Sequence, residues 1–230
     1  MFTDEVKNVL LKNRLIVVGE IHGAKENIFF IKKILSFYNK NDIPITLAME
    51  WPSELTEEIN RYIFKKGKLN WLSWKFSESP DGRISKEHLD LIKWLRAKNI
   101  KLVCFSVGGL SWNERDKKMA ENILAEYNQN KEVKILVCAG RLHSRSKDFD
   151  FGKEKYTPLG YYLPKNETIF FELDYLSGNY FNVGLKKIRS KKINVKKDIS
   201  IIKNKNNIFK VIIKKATPVH ILSDKYLPKK

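Results

Sequence analysis

Short apolar runs alternate with segments of helical hydrophobic spacing along the first 175 residues. The runs occupy residues 14–19, 44–50, 100–107, 133–139 and 168–173, and they predict five buried strands. The spacing predicts helices over residues 3–13, 25–39, 52–65, 85–98 and 113–129, the third with Pro52 in its first turn. Alternating strands and helices predict an α/β fold whose mainly parallel sheet is flanked by helices.

The pattern changes after about residue 175. Short β-like runs at 180–183 and 208–213 are separated by turns rich in Lys and Asn. We therefore expect a small β-rich C-terminal extension, residues 176–230, packed on the sheet. The chain shows no linker rich in Gly, Pro or Ser and no internal repeat, so residues 1–230 are predicted to form one domain.

The basic charge of the chain lies mostly at its C-terminal end. The net charge is +18, and residues 186–230 hold 15 Lys/Arg against 2 Asp/Glu. Such a segment attracts polyanions. The alternative is a compositional preference for Lys, Ile and Asn, with no binding role. If this tail contributes no strand, its removal is predicted to lower polyanion affinity far more than it alters the site described next.

Two cysteines, Cys104 and Cys138, lie in apolar runs, which indicates reduced core residues and no disulfide framework. The N-terminal residues contain no apolar signal core, and no apolar stretch has the length of a membrane span. We therefore expect a cytoplasmic protein with no membrane span.

Polar residues follow the first predicted strand in the motif Gly19-Glu20-Ile21-His22-Gly23. In extended chain, residues i and i+2 face the same way, so Glu20 and His22 are expected to converge on one water molecule or metal ion. The glycines allow close approach of the backbone to a ligand. The alternative is a strand–helix turn with incidental polar residues.

Other polar residues are expected at the same edge of the sheet, because parallel strands end together there. Glu50 closes the second predicted strand, and His143 follows the fourth in Gly140-Arg141-Leu142-His143. Arg115 and Asp116 begin a helix on which Asp116 shares a face with apolar residues. The alternative roles are structural: a cap on the following helix for Glu50, an interaction with the helix dipole alone for Asp116, and stabilisation of the fold alone for His143.

These motifs, together with Ala48-Met49-Glu50 and Arg115–Asn122, resemble the erythromycin esterase / ChaN / Tiki superfamily over about residues 10–175. The resemblance implies an α/β fold with its site at the strand ends. It also implies Glu20 and His22 as the central acid/base or ligand pair, with Glu50, Arg115, Asp116 and His143 in the pocket. One residue separates Glu20 from His22, as in the ChaN and Tiki type, and the chain lacks the helical insertions of macrolide esterases.

Three functions remain open. The first is a hydrolase in which His22 activates water beside Glu20 or Glu50 while Arg115 and Asp116 contact the substrate. Its metal-dependent form uses Glu20, His22 and His143 as ligands to a divalent ion. The second is binding of haem or another small ligand, with an apolar slot at Trp71–Phe76. The third is polyanion binding through residues 186–230.

Overall fold

The computed structural model describes residues 2–65, 67–70, 81–189, 193, 195–205 and 207–222. The five helices in these ranges are α1 Asp4–Lys12, α2 Lys25–Lys40, α3 Leu55–Phe64, α4 Lys86–Ala97 and α5 Trp112–Gln129. The strands are β1 Leu15–Glu20, β2 Ile45–Pro52, β3 Leu102–Ser106, β4 Lys134–Gly140, β5 Phe149–Phe151, β6 Glu154–Tyr156, β7 Thr168–Tyr175, β8 Asn179–Phe181, β9 Leu185–Lys187, β10 Ile199–Lys205 and β11 Ile208–Ile213.

Seven strands form one sheet in the order β10-β11-β7-β1-β4-β2-β3. Every neighbouring pair is parallel except β10 and β11, which run antiparallel. The predicted α/β fold with a mainly parallel sheet is therefore confirmed. The chain adds strands outward from β1 to β3 and then returns to insert β4 beside β1, which brings the carboxyl ends of β1, β4 and β2 next to one another.

Apolar side chains cover both faces of the sheet. Ile16 and Val18 of β1 face a large core formed with α1 to α4, whereas Leu15 and Val17 face a smaller core formed with α5. The alternation follows from the two-residue period of a strand. Because both faces are buried, the central strands are apolar without interruption, as a parallel sheet requires.

The third helix begins later than the sequence predicts. The prediction placed Pro52 in its first turn, but Pro52 is the last residue of β2 and pairs with Ser106 of β3. The helix starts at Leu55. Proline is accepted at a strand end as well as in a first helical turn, so its position alone could not decide between the two.

The basic C-terminal segment is part of the main sheet. Strand β11 pairs in parallel with β7, and β10 forms the sheet edge. We expected that residues 186–230 could be removed without affecting the site only if they contributed no strand. They contribute two strands to the main sheet, so that expectation does not apply. Lysines on β10, such as Lys203 and Lys205, leave the edge charged, which discourages pairing with another chain.

A further segment, here called the C-terminal strap (residues 216–222), crosses two loops near the carboxyl ends of the strands. Thr217 O accepts from Lys25 N at 2.9 Å, and Val219 N donates to Gly23 O at 3.0 Å. His220 O accepts from Lys86 N at 2.9 Å. The strap therefore ties the loop after β1 to the start of α4. None of the helices in the described ranges is long and apolar enough to cross a membrane.

His88 on α4 gives the fold a measurable acid sensitivity. Its side chain is buried against Trp51, with Nδ1 2.9 Å from Ser85 Oγ. Burial lowers the pKa of His88 to about 3. Unfolded histidine titrates near 6.5, so between these values the unfolded chain binds the extra proton and stability falls as pH falls.

We expect the free energy of unfolding to lose about 2 kcal/mol through His88 between pH 6.5 and pH 4.5. Replacing His88 by Asn should remove this part of the pH dependence, whatever it does to stability at pH 7. Urea unfolding at half-unit pH steps measures it. Equal slopes for the two proteins over this range would contradict the assignment.

Candidate functional site

The residues predicted from the strand ends lie together. Glu20 ends β1, Glu50 lies two residues before the end of β2, and His143 follows β4. His22 Nε2 lies 3.6 Å from Glu50 Oε2, and His143 Nε2 lies 3.6 Å from Glu50 Oε1. The two imidazoles thus face the two oxygens of one carboxylate.

His22 is held by Glu20. The His22 Nδ1 to Glu20 Oε1 distance is 3.0 Å, and because an ionised carboxylate only accepts, Nδ1 carries the proton. The Nε2 lone pair then faces Glu50. Burial alone lowers the pKa of His22, but the hydrogen bond to Glu20 and the negative charge of Glu50 outweigh it and raise that pKa above its usual range. The His22 side chain keeps 17% of its surface exposed, as a residue that meets a ligand must.

His143 is held in the same way by Asp116. The distance from His143 Nδ1 to Asp116 Oδ1 is 2.7 Å. The other Asp116 oxygen accepts from the Tyr156 hydroxyl and from Leu159 N, each at 2.8 Å. Asp116 is fully buried on α5, as its shared face with Ala120 and Ile123 predicts. A carboxylate that orients the Nδ1–H of an imidazole fixes its tautomer and leaves Nε2 for chemistry.

Glu50 lies at an irregularity in β2. The pairing of β2 with β3 shifts register between Met49 and Pro52, so the strand bulges where Glu50 occurs. Bulges redirect side chains beside active sites. Burial alone raises the pKa of Glu50, but the imidazoles of His22 and His143, the Arg83 guanidinium and the Gly140 N–H lower it to about 2. Glu50 is therefore ionised at every pH at which the protein is expected to work.

Two arginines contact the same oxygen of Glu50. Arg115 Nη2 lies 3.1 Å and Arg83 Nη1 3.2 Å from Glu50 Oε1. Arg115 was predicted to contact the substrate. Its Nη2 instead hydrogen-bonds Glu50, and it also lies 3.3 Å from Ser106 Oγ. Arg83 also pairs with Asp81, at 2.6 Å, so its charge is shared between two carboxylates.

Arg83 and Tyr156 are the site residues that the sequence did not predict. Arg83 lies in the loop before α4, where its carbonyl accepts from Trp51 Nε1 at 2.8 Å and its Nε donates to Asp81 at 2.6 Å. The signal available was an Asp-Gly turn followed by an arginine, which is too common to select a site. The Tyr156 ring packs against Trp112 and His143, and its hydroxyl donates to Asp116.

Gly140 forms the floor between the two imidazoles. Its N–H donates to Glu50 Oε2 at 2.7 Å. A Cβ atom at this position would lie 3.0 Å from His22 Nε2. Any side chain there would therefore occupy the space into which the His22 lone pair points, which explains a glycine as the last residue of β4.

The predicted metal-ligand set does not have the geometry of a metal site. Among the described residues, no group of three or more His, Cys, Asp or Glu side chains is arranged to hold a metal ion. Glu20 contacts His22 at Nδ1, on the other side of the ring from Nε2, so it orients the imidazole. Arg83 and Arg115 beside Glu50 also disfavour a divalent cation.

The predicted apolar slot at Trp71–Phe76 lies outside the described residues. Cys104 and Cys138 are buried free thiols, as predicted. Burial raises the pKa of Cys104 to about 12, so this thiol is not a nucleophile at neutral pH.

Comparison with solved structures identifies the class of fold. A succinoglycan biosynthesis protein superposes with a TM-score of 0.76 at 13% identity, over 95% of this chain and 92% of that one. A Bacillus cereus protein superposes with a TM-score of 0.68 at 13% identity, over 95% and 92% of the two chains. A mutant of erythromycin esterase EreC in its open conformation superposes with a TM-score of 0.68 at 9% identity, over 95% and 94%.

The chain therefore has the erythromycin esterase-like fold, and the predicted resemblance is confirmed at the level of fold. No family model matches the sequence, and no curated protein matches it. At 9–13% identity these similarities show a shared fold and do not show a shared activity.

Proposed function

We propose that this protein is a hydrolase of esters or lactones in which His22 activates water. The observation that carries the proposal is the pair of imidazoles on one carboxylate: each has its Nδ1 fixed by a separate acid, and each directs Nε2 at Glu50. Two oriented imidazoles supply a general base and a general acid, which are the groups that acyl transfer to water requires. The erythromycin esterase among the similar structures supports the same reaction class.

The proposed chemistry needs no group beyond the chain and water. Neutral His22 takes a proton from water at Nε2 as the water oxygen bonds to the ester carbonyl carbon. Glu20 and Glu50 stabilise the imidazolium that forms. When the tetrahedral intermediate collapses, the bond to the alkoxide breaks, and a proton from an imidazolium, His22 or His143, passes to the leaving oxygen. Arg83 and Arg115 keep Glu50 ionised throughout.

The direct test is hydrolysis of short-chain esters and lactones by the purified protein, followed in a pH-stat. We expect turnover that persists after dialysis against EDTA, because no step uses a metal ion. Loss of turnover on chelation, with recovery on adding one divalent metal, would favour the metal-dependent form. Absence of turnover on every ester and lactone would contradict the proposal.

Haem binding and polyanion binding through residues 186–230 stay predictions.

The pH dependence follows from the raised pKa of His22. As a base, His22 acts only when neutral, so kcat/KM should fall as pH falls through that pKa, with its midpoint above 6.5. The hydrogen bond to Glu20 is a main cause of the rise. Replacing Glu20 by Gln should therefore move the acid limb of the profile to lower pH, in addition to any loss of rate.

Profiles of kcat/KM from pH 5 to pH 9 for the wild type and Glu20→Gln measure this shift. Glu57→Gln, on an exposed side chain of α3 that pairs with Arg61, is the matched control and should leave the profile in place. An acid limb that stays in place or moves to higher pH in Glu20→Gln would refute the assignment of His22 as the base.

A further inference from the structure

An exposed aromatic surface lies directly beside His143. The Trp112 ring is roughly parallel to the His143 ring, with centroids 6.4 Å apart and planes inclined by 22°. It is also roughly parallel to the Phe151 ring, at 5.6 Å and 29°. Trp112 is 55% and Phe151 48% exposed, so both rings present carbon surface to solvent at the edge of the site. We call Trp112 and Phe151 the aromatic shelf.

Hydrogen bonds and ring contacts hold the two residues of the shelf together. Trp112 opens α5, and Phe151 ends β5 of the β5–β6 hairpin, so two separate elements must be joined to form it. Asn113 joins them: its Nδ2 donates to Lys155 O at 3.0 Å and its Oδ1 accepts from Thr157 N at 2.8 Å. Beneath, the Tyr156 ring contacts Trp112 edge-on at 5.8 Å. A preorganised surface loses little entropy when a ligand binds.

Two polar side chains beside the shelf are bonded within the protein. The Asn113 amide is committed to the hairpin backbone, and the Tyr156 hydroxyl to Asp116. Leu110, just before the shelf in sequence, is 46% exposed and adds more apolar surface. A polyhydroxylated ring needs several hydrogen-bonding partners around its edge, whereas Asn113 and Tyr156 bond within the protein and the shelf itself offers the Trp112 indole N–H. An apolar flat ring needs only the stacking face.

We propose that the aromatic shelf binds an apolar ring of the substrate, so that the preferred substrates are aryl or arylalkyl esters. This inference rests on the proposed hydrolase function. The ring lies on Trp112 and Phe151, and the ester group reaches the space between His143 and His22. Trp112 and Phe151 are thus specificity-determining residues that touch the non-reacting part of the substrate.

The test compares benzyl acetate with butyl acetate, whose leaving alcohols have similar acidity, by kcat/KM in a pH-stat. We expect the wild type to prefer the benzyl ester at least 10-fold. Trp112→Ala and Phe151→Ala should each reduce that preference, chiefly through KM, whereas Trp112→Phe should keep most of it. Phe29→Ala removes a ring of similar exposure from α2, 47%, and should leave the preference unchanged.

A binding measurement separates this inference from the hydrolase proposal. N-Benzylacetamide, an unreactive amide, should shift the Trp112 indole N–H signal in a saturable way, and N-butylacetamide should not. The signal is assigned by its loss in Trp112→Phe. Hydrolysis with a benzyl preference that survives Trp112→Ala, or an indole signal that N-benzylacetamide leaves in place, would overturn the shelf. A saturable shift without hydrolysis of any ester would overturn the hydrolase and leave the shelf standing.

Discussion

Replacing His22 by Asn is expected to lower kcat for ester hydrolysis by about 10²–10⁴-fold, the range for loss of a general base. Asn is chosen because its amide nitrogen takes the place of Nδ1 and keeps a donor for Glu20 Oε1, now 3.0 Å from the imidazole. What disappears is Nε2, the atom that faces Glu50. The melting temperature should change by only a few degrees, since the buried carboxylate retains its partner.

Kinetics and thermal unfolding on the same preparation check this result. His220→Asn is the matched control, because His220 is a surface histidine bound to Glu87, with 65% of its side chain exposed. It should keep kcat. A large fall in melting temperature of His22→Asn with an unchanged kcat would mean that His22 serves the fold and not the reaction.

Replacing Gly23 by Ala is expected to lower both stability and activity strongly. Gly23 has φ +83°, a conformation that costs an L-residue about 1–2 kcal/mol. In addition, an added Cβ would lie 1.8 Å from the carbonyl oxygen of Phe181. The hairpin β8–β9 would have to move away, and the loop that carries His22 would move with it. We expect a loss of about 3 kcal/mol or more, or roughly 6–12 °C in melting temperature for a chain of this size.

Gly109→Ala separates the two causes. Gly109 also has a positive φ, +77°, but an added Cβ there would meet nothing within 4 Å. It should cost about 1 kcal/mol through backbone conformation alone. Denaturant unfolding and kcat/KM of both variants decide the matter. If Gly23→Ala were no worse than Gly109→Ala, the contact between the site loop and the hairpin would not constrain the site.

The central strands could be predicted because burial on both faces makes them apolar throughout. The site followed from them: Glu50 and His143 are far apart in sequence, but parallel strands end at one edge. Asp116 was predictable for a different reason, since its helical spacing from Ala120 and Ile123 points it at the sheet.

Other features depend on contacts that no local pattern encodes. Arg83 lies in a loop, and its place beside Glu50 comes from the bond between Trp51 and the Arg83 carbonyl. Strand β11 pairs with β7, but its apolar residues do not specify which edge of the sheet it joins. The short strands β5 and β6 have three residues each, too few to show a period.

The C-terminal strap has a consequence for the order in which the molecule matures. Glu20 and His22 leave the ribosome early. Gly23, however, bonds to Val219, almost two hundred residues later in the chain, and Lys86 bonds to His220, over a hundred residues later. The sheet can begin to assemble while translation continues, whereas the loop that carries His22 gains its contacts with the strap only after residues 216–222 have been made. A nascent chain arrested before residue 216 should therefore hold a largely formed sheet and a His22 loop without its strap contacts.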